Sequence, residues 1–301
     1  MHPRLRTWLQ LFRAPNLFTV PGDPLAGFLI ANYGVLSIEM LFVIGASLCF
    51  YAAGLLDNDL ADLAEDRAER PNRPLPSGAA TIRSVWIATC GLTLLGLFLC
   101  VLAGGRAPVV GCAIVVAVGL YNHGVKRVPV LGALNMGLCR ALSVILGAST
   151  VPVAVFPREA IAAATVIGLF IAAVTNLARF ETRVATPLTA KWLPPLVLLC
   201  SWFAAWICIS VRTPDLFLLH TMTFQGLLAC AMALSITIAA GLTRKISPAP
   251  VPPSIGKFIR LLLLIQAAFC AHTGTKGLII AGFLLALYPI SRAVGKRFYA
   301  S

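Results

Sequence analysis

Long apolar runs recur along this chain from end to end, and they leave it almost no choice of fold. They lie near residues 17–36, 39–57, 84–103, 107–122, 132–152, 159–178, 190–211 and 222–243, followed by a pair near 258–271 and 276–292. Most reach the roughly 20 residues that carry a helix across a bilayer. In hydrocarbon the backbone must satisfy its own hydrogen bonds, so such runs fold as helices. With 59% hydrophobic and only 12% charged residues over 301 positions, an ordinary soluble domain is excluded. The expectation is all-α: a polytopic membrane helical bundle of nine or ten transmembrane segments, a single domain over residues 1–301. The 258–271 run is short enough for a re-entrant or interfacial piece.

Basic residues punctuate the runs unevenly. The loops at 4–13, 67–83, 126–127, 179–191, 244–260 and 292–297 hold 19 of the 24 Lys and Arg residues. The positive-inside rule puts these alternate loops, and both termini, in the cytoplasm. A helix count of nine would place the C terminus outside, whereas Lys296 and Arg297 argue for inside and ten crossings. The net charge of +13 reflects this asymmetry and contact with anionic membrane lipids, not nucleic acid. The N-terminal arginines precede an apolar stretch as in a signal peptide, but Pro15, Pro21, Asp23 and Pro24 interrupt it, which reads as a retained first helix. The nine cysteines fall in apolar runs without a CxxC pair, and the four histidines lack metal spacing.

The chemistry concentrates in one loop. Asn58, Asp62 and Asp66 stand at i, i+4 and i+8 in the stretch Asp57–Gly78, so a continuous helix would put them on one face. That face offers oxygen ligands only, which suits Mg2+ held by one or two carboxylates together with substrate phosphates. Arg67, Arg70 and Arg73 follow, and guanidinium groups suit phosphate oxygens. The plainer alternative is a solvated, charged interhelical loop.

The spacing NxxxDxxxD, followed by Arg73-Pro-Leu-Pro-Ser-Gly78, resembles the first aspartate-rich motif of the UbiA superfamily of intramembrane prenyltransferases. Three further stretches are similar: Tyr121-Asn-His-Gly-Val-Lys126-Arg127, Gly137-Leu-Cys-Arg140 through Leu146-Gly-Ala-Ser149, and Arg13-Ala-Pro-Asn16 through Asp23-Pro-Leu-Ala-Gly27. The resemblance covers most of the first 185 residues, and its wording is closest to the bacterial EboC-like branch. It implies a second acidic motif, near NDxxDxxxD, at the end of the sixth helix. Here the chain departs, reading Asn176-Leu-Ala-Arg179-Phe180-Glu181-Thr-Arg183-Val184. Phe180 and Val184 stand where aspartates belong. Glu181 lies one residue off, about 100° around a helix. Asn58 and Asn176, four segments apart at cytoplasmic ends, suggest two four-helix pseudo-repeats sharing one mouth.

Polar residues within the runs must face the bundle interior. Arg140 either binds substrate or forms an internal ion pair, with Asp23 as the candidate partner. Gly137 and Gly147 beside it permit close helix contact. Lys126 is either a snorkelling anchor or a phosphate ligand.

The leading expectation is Mg2+-assisted transfer from a prenyl diphosphate to a lipophilic, aromatic-type acceptor. Asp62 and Asp66, with Asn58, would hold the metal. Arg67, Arg73 and Lys126 would bind phosphate oxygens, with Arg140, Asn176, Arg179 and Glu181 completing the substrate site. Tyr121 would shield an allylic cation through its ring face. No residue stands out as a general base, and nothing names a protein partner. The degraded second motif leaves open a non-catalytic binder or carrier of a prenylated or lipophilic precursor. A secondary transporter is the third alternative, although its site would lie nearer the midplane.

Overall fold

The computed structural model describes residues 2–151, 155–181, 186–210, 218–244 and 251–298. Every element among the described residues is helical. Short helices α1 (Pro3–Leu11), α2 (Ala14–Leu17) and α3 (Gly22–Ala31) lead into α4 (Glu39–Ala61) and α5 (Leu63–Glu69). Then come α6 (Ile82–Ala103), α7 (Ala107–His123), α8 (Leu131–Ala148) and α9 (Arg158–Ala178). Four helices close the chain: α10 (Leu188–Ser210), α11 (Leu218–Arg244), α12 (Val251–Ala271) and α13 (Thr275–Phe298). Eight of these are long and apolar enough to cross a membrane, and α7 is a shorter apolar helix of the same kind.

The first apolar run is not one helix. It breaks between Leu17 and Gly22, where Pro21 lacks an N–H to donate, and Pro24 follows in the first turn of α3. The Asp23 N–H bonds Val20 instead, so the Thr19 carbonyl is left to side chains. Arg140 donates to it at 2.8 Å and Gln266 at 2.7 Å. The break thus creates an acceptor at the meeting of α3, α8 and α12.

Close backbone approach holds these helices together. A Cβ added at Gly147 would collide with the Pro24 carbonyl of α3, and one at Gly27 with the Val144 carbonyl of α8. Gly137 meets the Gly168 carbonyl of α9 in the same way. The two glycines flanking Arg140 therefore serve two different helices. Gly147→Val should push α3 off α8 and cost about 1–3 kcal/mol, the usual penalty of overpacking. Thermal unfolding in detergent checks this; an unchanged midpoint would show that the contact is not tight.

Helix α12 corrects the expectation of a short re-entrant piece over 258–271. It runs 21 residues from Val251. Pro252 and Pro253 fall in its first turn, where a missing N–H costs nothing. In its most apolar stretch 83% of the residues are buried, against 17% for α6, so α12 is a central helix and α6 a peripheral one. It packs on α3 and α9 as well as on α11 and α13. The Ser291 hydroxyl of α13 donates to the Pro15 carbonyl at 2.9 Å, which returns the end of α13 to the end of the bundle that holds Arg13. Counting the broken α2–α3 as one pass, the described helices traverse the bundle ten times.

Candidate active site

A cavity of about 500 Å³ lies among the break before α3 and helices α4, α7, α8 and α9. Its deep part is apolar, walled by Val20, Phe50, Leu55, Ile114, Val118 and Met136. Ser47 and Ser143 share a hydrogen bond of 2.7 Å there. At the ends of α4, α7 and α9 the lining changes to Asn58, Asp62, Glu65, Lys126, Arg70 and Arg179, with Arg13 and Arg127 beside them.

The acidic loop differs from a continuous helix. α4 ends at Ala61, Asp62 sits at the junction with φ −94° and ψ 5°, and α5 begins at Leu63. Asn58, Asp62 and Glu65 line the cavity, and Asp66 does not. This corrects the expectation that Asn58, Asp62 and Asp66 share one face. At about 100° per residue, position i+7 falls within about 20° of i, whereas i+8 lies about 80° away. Asp66 is buried instead against Arg73, whose Nη1 donates to both carboxylate oxygens at 2.8 and 3.0 Å. Arg73 thereby fixes the loop rather than facing the cavity. Arg67 is exposed and also lies off the cavity wall, where Arg70 takes its place.

Asp62 accepts from Lys126 Nζ at 2.5 Å and from Asn58 Nδ2 at 3.1 Å, and Lys126 also reaches Asn58 Oδ1 at 3.2 Å. Lys126 is placed by the 3-10 turn Val125–Arg127 after α7. A Cβ at Gly132 would stand 2.9 Å from the Lys126 Cα, so glycine lets α8 start this close. Asn122 ties α7 to α4 through Gly54 O at 3.1 Å and Asp57 Oδ2 at 2.7 Å. Tyr121, one residue earlier, lines the cavity. Arg13, with φ +45°, occupies the sparsely populated left-handed region and reaches Asp59 at 3.5 Å.

Arg140 lines the cavity, but its guanidinium is committed. Nε meets Asp23 Oδ2 at 2.8 Å, Nη2 donates to Thr19, and Gln266 donates to the other Asp23 oxygen at 2.6 Å. Of the two roles open to it, the ion pair with Asp23 is realised.

The α9 side carries no carboxylate into the cavity among the described residues. Arg179 lines it, with Nη1 donating to Asn176 Oδ1 at 3.3 Å and the guanidinium 6.0 Å from the Phe180 ring. Phe180 packs on the main apolar core, so it is turned away from the mouth. Asn176 and Glu181 are off the cavity wall, and Val184 lies outside the described residues. Burial pushes the Glu181 carboxyl above its ordinary range, while Arg70, Arg13 and Arg73 pull it back down. The positive charges that act on Glu181 are thus those of Arg70, Arg13 and Arg73.

Glu65 is a cavity residue that the motif spacing leaves out; Arg70 is one of three arginines suited to phosphate, but the sequence assigns that role to Arg67 and Arg73, and Arg13 stands only at the start of a matching stretch. For Glu65 the i+7 spacing was the available signal. Among the described residues no three His, Cys, Asp or Glu side chains form a metal-holding group. Asp62 and the Asn58 amide oxygen still supply the kind of donor set that Mg2+ shares with phosphates. They fit a metal held jointly with a ligand, not one caged by protein alone.

The cavity is thus an apolar slot inside a membrane bundle that opens through oxygen donors and fixed cations. The chain belongs to the UbiA prenyltransferase family, whose model matches residues 24–265, and it is an integral, multi-pass membrane protein. It is 28% identical over 146 residues to the digeranylgeranylglyceryl phosphate synthase of Saccharolobus solfataricus, covering 48% of this chain and 51% of that one. Over 97 residues it is 33% identical to the synthase of Methanocaldococcus jannaschii, covering 32% and 34%. The chain thus spans about half or less of the length of these relatives. The fold matches a UbiA homologue from Aeropyrum pernix K1 with TM-score 0.67 at 17% identity, over 84% of this chain and 96% of that one. It also matches a UbiA homologue from Archaeoglobus fulgidus bound to GPP and Mg2+, with TM-score 0.61 at 15% identity, over 89% and 100%.

Proposed function

We propose that this protein is an intramembrane prenyltransferase that moves a prenyl group from a prenyl diphosphate to a lipophilic acceptor with the help of Mg2+. The observation that carries the proposal is a cavity with Asp62, Asn58 and Lys126 at its mouth and an apolar slot beneath. The slot suits a prenyl tail and the mouth a diphosphate. Membership of the UbiA prenyltransferase family, relatives named digeranylgeranylglyceryl phosphate synthase, and a neighbour bound to GPP and Mg2+ support the same reading. By the distribution of basic loops, the mouth faces the cytoplasm.

Asp62 and Asn58 would hold Mg2+, which when bound neutralises diphosphate charge and so improves the leaving group. Lys126 lies within reach of both residues and would bind a phosphate oxygen. The prenyl C1–O bond breaks with its electron pair leaving on the diphosphate. The Tyr121 ring faces the resulting allylic cation, and the apolar wall excludes water from it. An electron pair of the acceptor forms the new bond to C1, and the acceptor's proton goes to the departing diphosphate. The glycerophosphate-type names of the relatives put phosphate-bearing lipids beside aromatic compounds as acceptors to test.

The test is incubation of purified protein with labelled prenyl diphosphates and both acceptor classes, with and without Mg2+. Mg2+-dependent transfer to at least one acceptor is expected. Diphosphate binding without transfer to any acceptor would favour the second reading, a non-catalytic carrier, which the missing carboxylate on the α9 wall supports. No binding at all would refute both.

A further inference from the structure

The two walls of the cavity mouth are chemically unequal. The α4 wall brings oxygen donors: Asn58, Asp62 and Glu65. Among the described residues the α9 wall brings one charged group, the Arg179 guanidinium. The shortage of carboxylates there does not depend on which residues the structure describes, because Glu181 is the only acidic residue between positions 160 and 214. Glu181 is off the cavity wall, and the charges of Arg70, Arg13 and Arg73 act on it. Arg179, by contrast, is held in place. Asn176 accepts from its Nη1, and its guanidinium lies against the Phe180 ring, which is anchored in the core.

A diphosphate ester carries about three negative charges at neutral pH, spread over two phosphoryl groups. One divalent cation at Asp62 leaves the ligand anionic on the side that faces α9. A second metal there would meet a fixed positive charge and no carboxylate to bind it. A guanidinium, always charged and planar, offers two parallel donors to phosphate oxygens instead.

We infer that this protein binds its diphosphate with a single divalent cation, and that Arg179 supplies the fixed counter-charge on the opposite wall. The inference rests on the prenyl diphosphate reading above. It makes Phe180 a positioning residue rather than a lost metal ligand.

The experiment uses the full chain in detergent, Mn2+ as the divalent probe and a non-hydrolysable prenyl thiodiphosphate. Bound Mn2+ is counted by electron paramagnetic resonance, and ligand affinity is measured by titration calorimetry. Wild type should bind one Mn2+ per ligand. Arg179→Leu should weaken the analogue by tenfold or more while the count stays at one. Arg179→Lys should recover part of the loss, since it restores charge without the planar fork. Glu181→Gln should leave the count at one.

Two Mn2+ in wild type, falling to one in Glu181→Gln, would overturn the inference and make Glu181 the second ligand, with the prenyl diphosphate reading intact. An unchanged affinity in a folded Arg179→Leu would overturn the role of Arg179. If Arg179→Leu does not fold, the wild-type count still decides. No analogue binding by wild type, with or without Mn2+, would overturn the prenyl diphosphate reading and this inference together.

Discussion

Asp62→Ala should lower the rate of Mg2+-dependent prenyl transfer by about 10²–10³, the scale on which a preorganised group aimed at developing charge acts. The variant removes the one carboxylate that lines the mouth beside both Asn58 and Lys126. Lys126, no longer paired, would hold the diphosphate without a metal, so dependence on Mg2+ should fall along with the rate. Asp66→Ala should behave differently. Asp66 is buried against Arg73 and off the cavity wall, so its loss should cost about 1.5–3 kcal/mol of stability, the range for a charge-assisted hydrogen bond. Metal-dependent binding should persist in folded protein. Parallel titrations with a diphosphate analogue, and melting curves, separate the two. Equal loss of metal dependence in both variants would show that Asp66 turns into the mouth on binding.

Arg140→Leu should be the most destabilising of the single changes considered, by about 3–5 kcal/mol, because it strands a buried carboxylate. Asp23 is fully buried, and without Arg140 only the Gln266 amide faces it. The Thr19 carbonyl would lose one of its two donors at the same time. Arg67→Leu, in an exposed position, should shift the melting temperature little. Combining Arg140→Leu with Asp23→Leu should recover part of the loss, since removing both charges of a buried pair is far milder than removing one. An equal loss from Arg67→Leu, or no recovery in the double variant, would contradict the assignment of a buried pair.

Several decisive things were legible before any coordinates. Apolar length dictated membrane helices, because a backbone in hydrocarbon has no other way to satisfy itself. The basic loops dictated which helix ends cluster, and Lys296 pointed to a last helix returning to the mouth end, which the Ser291–Pro15 bond bears out. The altered second motif was visible as residue identity, since no fold can place a carboxylate where the chain has Phe180.

What the tertiary structure alone decided was which of several chemically similar neighbours faces inward. Glu65 rather than Asp66 lines the mouth, and Arg70 and Arg179 do so where Arg67 and Arg73 do not. Within the first loop the alternatives differ by one to three residues, a change that turns a side chain to another face of the helix. The Arg140–Asp23–Gln266 cluster joins residues as much as 243 positions apart, and Lys126 meets Asp62 across 64. The central place of α12 depends on its packing against α3 and α9. Local hydrogen bonding and hydropathy act over a few residues, so they specify helices. The direction of each face, and the partner of each buried charge, follow from close packing between helices that are distant in the chain.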